Sequence, residues 1–144
     1  MMFKTAIMTV GMAWALGLAL QTGAVAQQKS SWDGVYTEEQ AKRGEAMYAA
    51  ECASCHQEDL AGDGFAPALT GAEFAAAWNG LPLSDLLERM RQSMPPSDPA
   101  AVTVAQKVDV IAFMLKANDF PAGAAELPQE AEQLKQILYR ASKQ

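Results

Sequence analysis

The sequence predicts an all-α fold, and three observations carry that prediction. Thr37, Thr70 and Thr103 each stand three residues ahead of a Gln or Glu, the pattern of a capping box at a helix start. Apolar residues then recur at three- and four-residue steps. The stretches between are rich in Gly and Pro, with no βαβ pattern, internal repeat or low-complexity segment among them.

The elements follow in order. Lys4, an apolar run from Ala6 to Leu20 and the triplet Ala24-Val25-Ala26 have the layout of a secretory signal peptide over residues 1–26. That run is 15 residues long, whereas a membrane span needs about 20. The expectation is cleavage after Ala26 and export to a bacterial periplasm, leaving no membrane span; an uncleaved anchor is the alternative. Residues 27–36 are polar and mixed, and read as a loosely held arm. A helix should run from Thr37 into Cys52, with Ala41, Gly44, Tyr48 and Cys52 on one face. Gly44 inside it costs about 1 kcal/mol against Ala, which close approach by another helix would explain.

Glu58 to Pro67 reads as a loop, through Gly62, Gly64 and Pro67. Thr70 opens a short helix past Phe74 and Trp78, ended by Asn79-Gly80. Ser84 can cap the next, whose apolar stripe is Leu86, Leu87 and Met90. Met94-Pro95-Pro96, with Pro99 behind, is extended and cannot stay helical. Thr103 begins the most apolar helix, in which only Asp109 is polar from Val108 to Leu115. Such a helix is buried on more than one side. Asn118 to Pro128 is a Gly/Pro-rich connection. A last amphipathic helix, with Leu134, Ile137, Leu138 and Ala141 on one face, is expected beyond it. Residues 37–118 form the domain and residues 119–144 an appendage.

The chemistry lies in Cys52-Ala53-Ser54-Cys55-His56. C-x-x-C-H is the c-type haem attachment pattern: two thiols on one turn add to the porphyrin vinyl groups, and the next residue's imidazole binds iron. These are the only two cysteines, and His56 is the only histidine. Three crowded candidates fall short of the four ligands of a structural zinc site. A structural Cys52–Cys55 disulfide in a haem-free module is the bland alternative, and it leaves His56 unexplained.

One histidine cannot fill both axial positions. Of the methionines beyond residue 26, Met47 lies too close ahead of the cysteines, and Met114 belongs to the buried helix. Met90 sits on an apolar stripe and is the second choice. Met94, in the proline-pinned segment, is the expected sixth ligand, giving His56/Met94 ligation at the iron.

From here the chain resembles the class I c-type cytochromes, over Trp32 to about Asn118. The resemblance rests on Gly44, Tyr48, Cys52-x-x-Cys55-His56, Pro67-x-Leu69, Met94-Pro95 and the apolar helix. It implies a cytochrome c fold with an extra C-terminal helix around one covalent haem c. It implies that Gly44 meets Phe113 where the first and last domain helices cross. The Pro67 carbonyl would accept a hydrogen bond from His56, and Leu69 would pack on the ring. Met94 follows His56 by 38 positions, closer to small bacterial members than to the mitochondrial type. The segments Trp32 to Thr37 and Pro121 to Gly123 look like those of cytochromes that serve quinoprotein dehydrogenases. Gln57 departs from the family, where glycine is common.

Iron with His below and Met above offers no open position, so electron transfer is expected rather than an enzyme activity. The partners would be redox proteins: a dehydrogenase or upstream cytochrome as donor, and a terminal oxidase or cytochrome as acceptor. The Trp78 indole would donate to a haem propionate or, equally, to another core partner. The competing class is a peroxidase-like haem enzyme or gas-binding protein with a labile sixth ligand, for which the sequence offers no distal acid–base pair. Loss of Lys4 takes the formal charge from −6 to −7. Such a surface does not suit nucleic acid, which needs a basic patch.

Overall fold

The structure, a computed structural model, describes residues 28–143. The signal peptide expected over residues 1–26 lies outside the described residues. The elements are β1 (Lys29–Ser30), α1 (Glu38–Glu51), α2 (Ala53–His56), α3 (Gly71–Trp78), α4 (Leu83–Ser93), α5 (Val104–Ala117), α6 (Ala131–Leu134) and β2 (Ile137–Leu138). The fold is all-α, with one two-residue strand pair.

Two helices make the frame. α1 and α5 cross at Gly44, where a Cβ would lie 1.8 Å from the Asp109 carbonyl oxygen. Only hydrogen fits there, which accounts for a glycine in mid-helix. The glycine therefore meets the Asp109–Val110 backbone. Phe113, expected against it, packs one turn further along on Tyr48, with ring centroids 5.3 Å apart. Arg43 reinforces the crossing by bonding both oxygens of Asp109 and reaching Glu126. α5 is buried at Val108, Val110, Ile111, Ala112, Met114 and Leu115, as a helix packed on more than one side must be.

The helix starts differ from their shared pattern. Thr103 forms the full capping box with Gln106. Thr37 accepts from the Gln40 backbone N–H, but the Gln40 side chain turns away to exchange hydrogen bonds with the Leu127 backbone at 2.7 and 3.2 Å. Thr70 makes no side-chain cap. α4 begins at Leu83 after Pro82, so Ser84 lies inside the helix and bonds Asp85 instead.

The two ends correct the sequence reading most. The segment expected as a loose arm is packed: Ser31 is 0% and Tyr36 1% exposed. The expected C-terminal amphipathic helix is reduced to the four residues of α6. The chain then extends as β2, which pairs in parallel with β1 and bridges Pro82 on its other side. Ile137 and Tyr139 are buried while Leu138 is half-buried, a period of two. Tyr139 stands edge-on to Phe74 and Phe120. That aromatic contact, with hydrogen bonds from Gly80 to Tyr139 and from Tyr139 to Leu81, overrides the helical periodicity. Trp32 closes the same clasp, donating to the Arg140 carbonyl at 2.9 Å. Gly34 and Gly123 touch so closely that a Cβ on Gly123 would lie 1.9 Å from the Gly34 oxygen.

Candidate haem site

The Cys-x-x-Cys-His run begins at Cys52, the cap residue shared by α1 and α2, and continues through the single turn of α2. Both thiols are free, with Cys52 half-buried and Cys55 exposed, so the disulfide alternative is not formed. Burial, helped by the Glu51 carboxylate, pushes the Cys52 thiol up to about 11. It is therefore a neutral thiol at pH 7.

His56 is 7% exposed. Its Nδ1 lies 2.9 Å from the Pro67 carbonyl oxygen. A carbonyl can only accept, so this contact puts the proton on Nδ1 and leaves the Nε2 lone pair free. The loop between them is closed on the same residue, because the Gly62 N–H donates to the His56 carbonyl at 3.0 Å. Asp63 stiffens its tip by accepting from the Phe65 and Ala66 N–H groups, both at 2.8 Å. Those two bonds hold the Asp63 carboxyl below the usual carboxylate range.

Gln57 follows with φ 65° and ψ 158°, a region that glycine enters freely and other residues enter under strain. Gln57 therefore stands, in place of the family's common glycine, at a backbone conformation that glycine would adopt more easily. Tyr48 helps hold it, donating from its hydroxyl to the Gln57 carbonyl at 2.6 Å. Burial raises that phenol to about 12.

The other expected haem neighbours are also brought to the core. Cys52, Leu69, Trp78 and Met94 all lie half-buried against one hydrophobic cluster. Leu69 is fixed at both its polar groups: its N–H donates to Leu60 at 2.8 Å, and its carbonyl accepts from Asn118 at 2.9 Å. Trp78 stacks obliquely on Phe74, centroids 6.1 Å apart. Met94 is the C-cap of α4, with extended backbone, where the sequence placed the helix end. Met90 and Met114 are buried in the core at 9% and 3% exposure.

Sequence reasoning missed Asn118, which bonds the Leu69 carbonyl, Lys107, which bonds the segment after Met94, and, away from the site, the Gln40–Leu127 pair. Lys107 had a legible signal, since it shares the apolar face of Val110, Ile111 and Met114 at helical spacing.

These residues fit a covalently held haem. Two free thiols lie on one turn, an oriented imidazole has one nitrogen unused, and apolar side chains are left half-exposed around them. Among the described residues no three His, Cys, Asp or Glu side chains converge as a metal-binding group. No helix among them is long and apolar enough to cross a membrane.

Searches of curated proteins and of solved structures returned no match. The family model described as cytochrome c oxidase, cbb3-type, subunit III matches residues 39–114. That span is just over half of the 144 residues and runs from the first turn of α1, through the Cys-x-x-Cys-His turn and Met94, into α5. The chain therefore belongs to this family of c-type cytochrome domains and is a class I c-type cytochrome, an electron carrier built for haem c.

Proposed function

We propose that this protein is a periplasmic one-electron carrier with one covalent haem c. Cys52 and Cys55 are its anchors, His56 the lower axial ligand and Met94 the upper. The observation that carries the reading is the His56–Pro67 hydrogen bond. It gives the imidazole one fixed orientation, with the nitrogen that would bind iron left free. When bound, haem supplies the one-electron couple, and Met ligation raises its potential.

The chain's part is to keep both ligands in one geometry through oxidation and reduction. The loop closed on His56 would hold the imidazole, and the α4 terminus would hold the Met94 thioether. Leu69 would pack against the bound ring, and the Trp78 indole would be the donor to a propionate. With both axial positions filled, no substrate reaches the iron, so the protein is a carrier and not an enzyme. Its donor is a dehydrogenase, of quinoprotein type by the likeness of the Trp32–Thr37 and Pro121–Gly123 segments. Its acceptor leads towards a terminal oxidase, as the family's name suggests.

Intact mass and an oxidised spectrum test this together. The protein isolated from periplasm should begin at Gln27 and carry the mass of one haem, lost in the Cys52→Ala, Cys55→Ala variant. The ferric form should show a methionine-to-iron charge-transfer band that Met94→Ala removes. A band kept in Met94→Ala and lost in Met90→Ala would reassign the ligand.

A further inference from the structure

The methionine segment, residues 94–103, is short of hydrogen-bond donors. Pro95, Pro96 and Pro99 have no N–H, and no regular structure spans the ten residues. Its internal bonds are few: Ala100 and Ala101 both donate to Asp98. Carbonyl oxygens are therefore left in excess.

Lys107 answers that excess. It lies on α5, one turn past the Thr103 cap, and is 2% exposed. Its ammonium donates to the Val102 carbonyl at 2.9 Å and to the Pro99 carbonyl. Among the described residues, no other side chain from outside the segment bonds to residues 94–102. An ammonium has three donors and no acceptor, so it suits a stretch that offers only acceptors. Burying a charge is costly unless it is so bonded, which makes an incidental lysine a poor explanation.

We propose that Lys107 is a positioning residue for the upper ligand: its ammonium staples the proline-rich segment to α5 and so holds Met94 over the iron. The inference rests on the reading of Met94 as that ligand. Without the staple, the segment keeps its prolines but loses its tie to the helix that packs on α1. Met94 then leaves the iron more often, and an outside ligand finds the position open.

The test uses the holoprotein and two readouts, the ferric charge-transfer band and the rate at which carbon monoxide binds the ferrous form. Lys107→Met, close in length and neutral, should weaken the band. It should also speed carbon monoxide binding by about tenfold or more, the scale of one lost charge-assisted bond. Lys107→Arg, which restores the donors, should return both readouts towards wild type. Lys107→Leu is read in the same way, so poor maturation of one neutral variant does not remove the test. Wild-type behaviour in the neutral variants overturns the proposal. So does an equal gain in Tyr36→Phe, which loses only the bond to the Phe120 carbonyl and controls for general loosening. Absence of the band in wild type would instead sink the Met94 reading itself.

Discussion

The two segments that carry the candidate ligands are held in opposite ways. The histidine loop, residues 57–69, closes on itself: backbone donors from Leu60, Gly62, Asp63 and Leu69 find acceptors within the loop or at His56. Asp59 and Asp63 cap its tight turns. The methionine segment has almost no such closure and is tied down by one buried ammonium on another helix. A loop closed by its own backbone depends little on any one side chain outside it. A stapled one can be retuned by one substitution. His56 is thus fixed by the fold, while the hold on Met94, the proposed second ligand, is adjustable.

The largest expected effect strikes the base both segments share. Gly44→Ala would place a Cβ 1.8 Å from the Asp109 oxygen and force α1 from α5, with a loss of about 3 kcal/mol or more. Thermal unfolding measures it. A Tm close to wild type would show that the crossing is looser than described.

Gly62→Ala attacks the histidine loop alone. Gly62 has φ 71°, and a Cβ there would come within 2.4 Å of the Ala66 oxygen. Strain and displacement together should cost about 2–3 kcal/mol. The Pro67 carbonyl should shift with Ala66, altering the His56 Nδ1–H resonance in the NMR spectrum of the holoprotein. An unmoved resonance would mean that the two turns are independent.

Tyr48→Phe should cost about 1 kcal/mol, the worth of its bond to Gln57. The sign of its pH dependence is set by the raised phenol. The folded form deprotonates at about 12, against about 10 when unfolded. Its contribution is complete below pH 10 and falls away as pH rises towards 12. The variant's stability should therefore decline less over that window than the wild type's, and equal slopes would remove Tyr48 as the cause.

The smallest effect is a gain. Gln57→Gly relieves a positive φ and should add about 0.5–1 kcal/mol, the strain being partly offset by glycine's greater unfolded-state freedom. Denaturant midpoints would detect it, and a loss would mean that the Gln57 side chain contributes to the fold.

Much of this arrangement was legible because its signals are local. The C-x-x-C-H spacing that marks the family, the helix end at Met94, the mid-helix Gly44 and the Thr103 cap are each written within a few residues. The C-terminal segment was not legible. Leu134, Ile137, Leu138 and Ala141 satisfy a helical period, while Ile137 and Tyr139 also satisfy a strand's. Contact with β1 and Pro82, distant in sequence, decided between them. The packed N-terminal arm was hidden for the same reason, since its partners lie about 110 residues on at Leu138 and Arg140. Gln40 fitted a capping box locally and was claimed by Leu127 in three dimensions.

The most direct test of the account is to add carbon monoxide to the ferrous wild-type protein and follow the visible spectrum. No prompt change in the spectrum is the expected result, because the proposed His56/Met94 pair fills both positions of the iron and carbon monoxide can bind only as slowly as Met94 leaves. Prompt carbon monoxide binding would contradict the closed electron carrier and favour a haem enzyme or gas-binding protein with a labile sixth ligand.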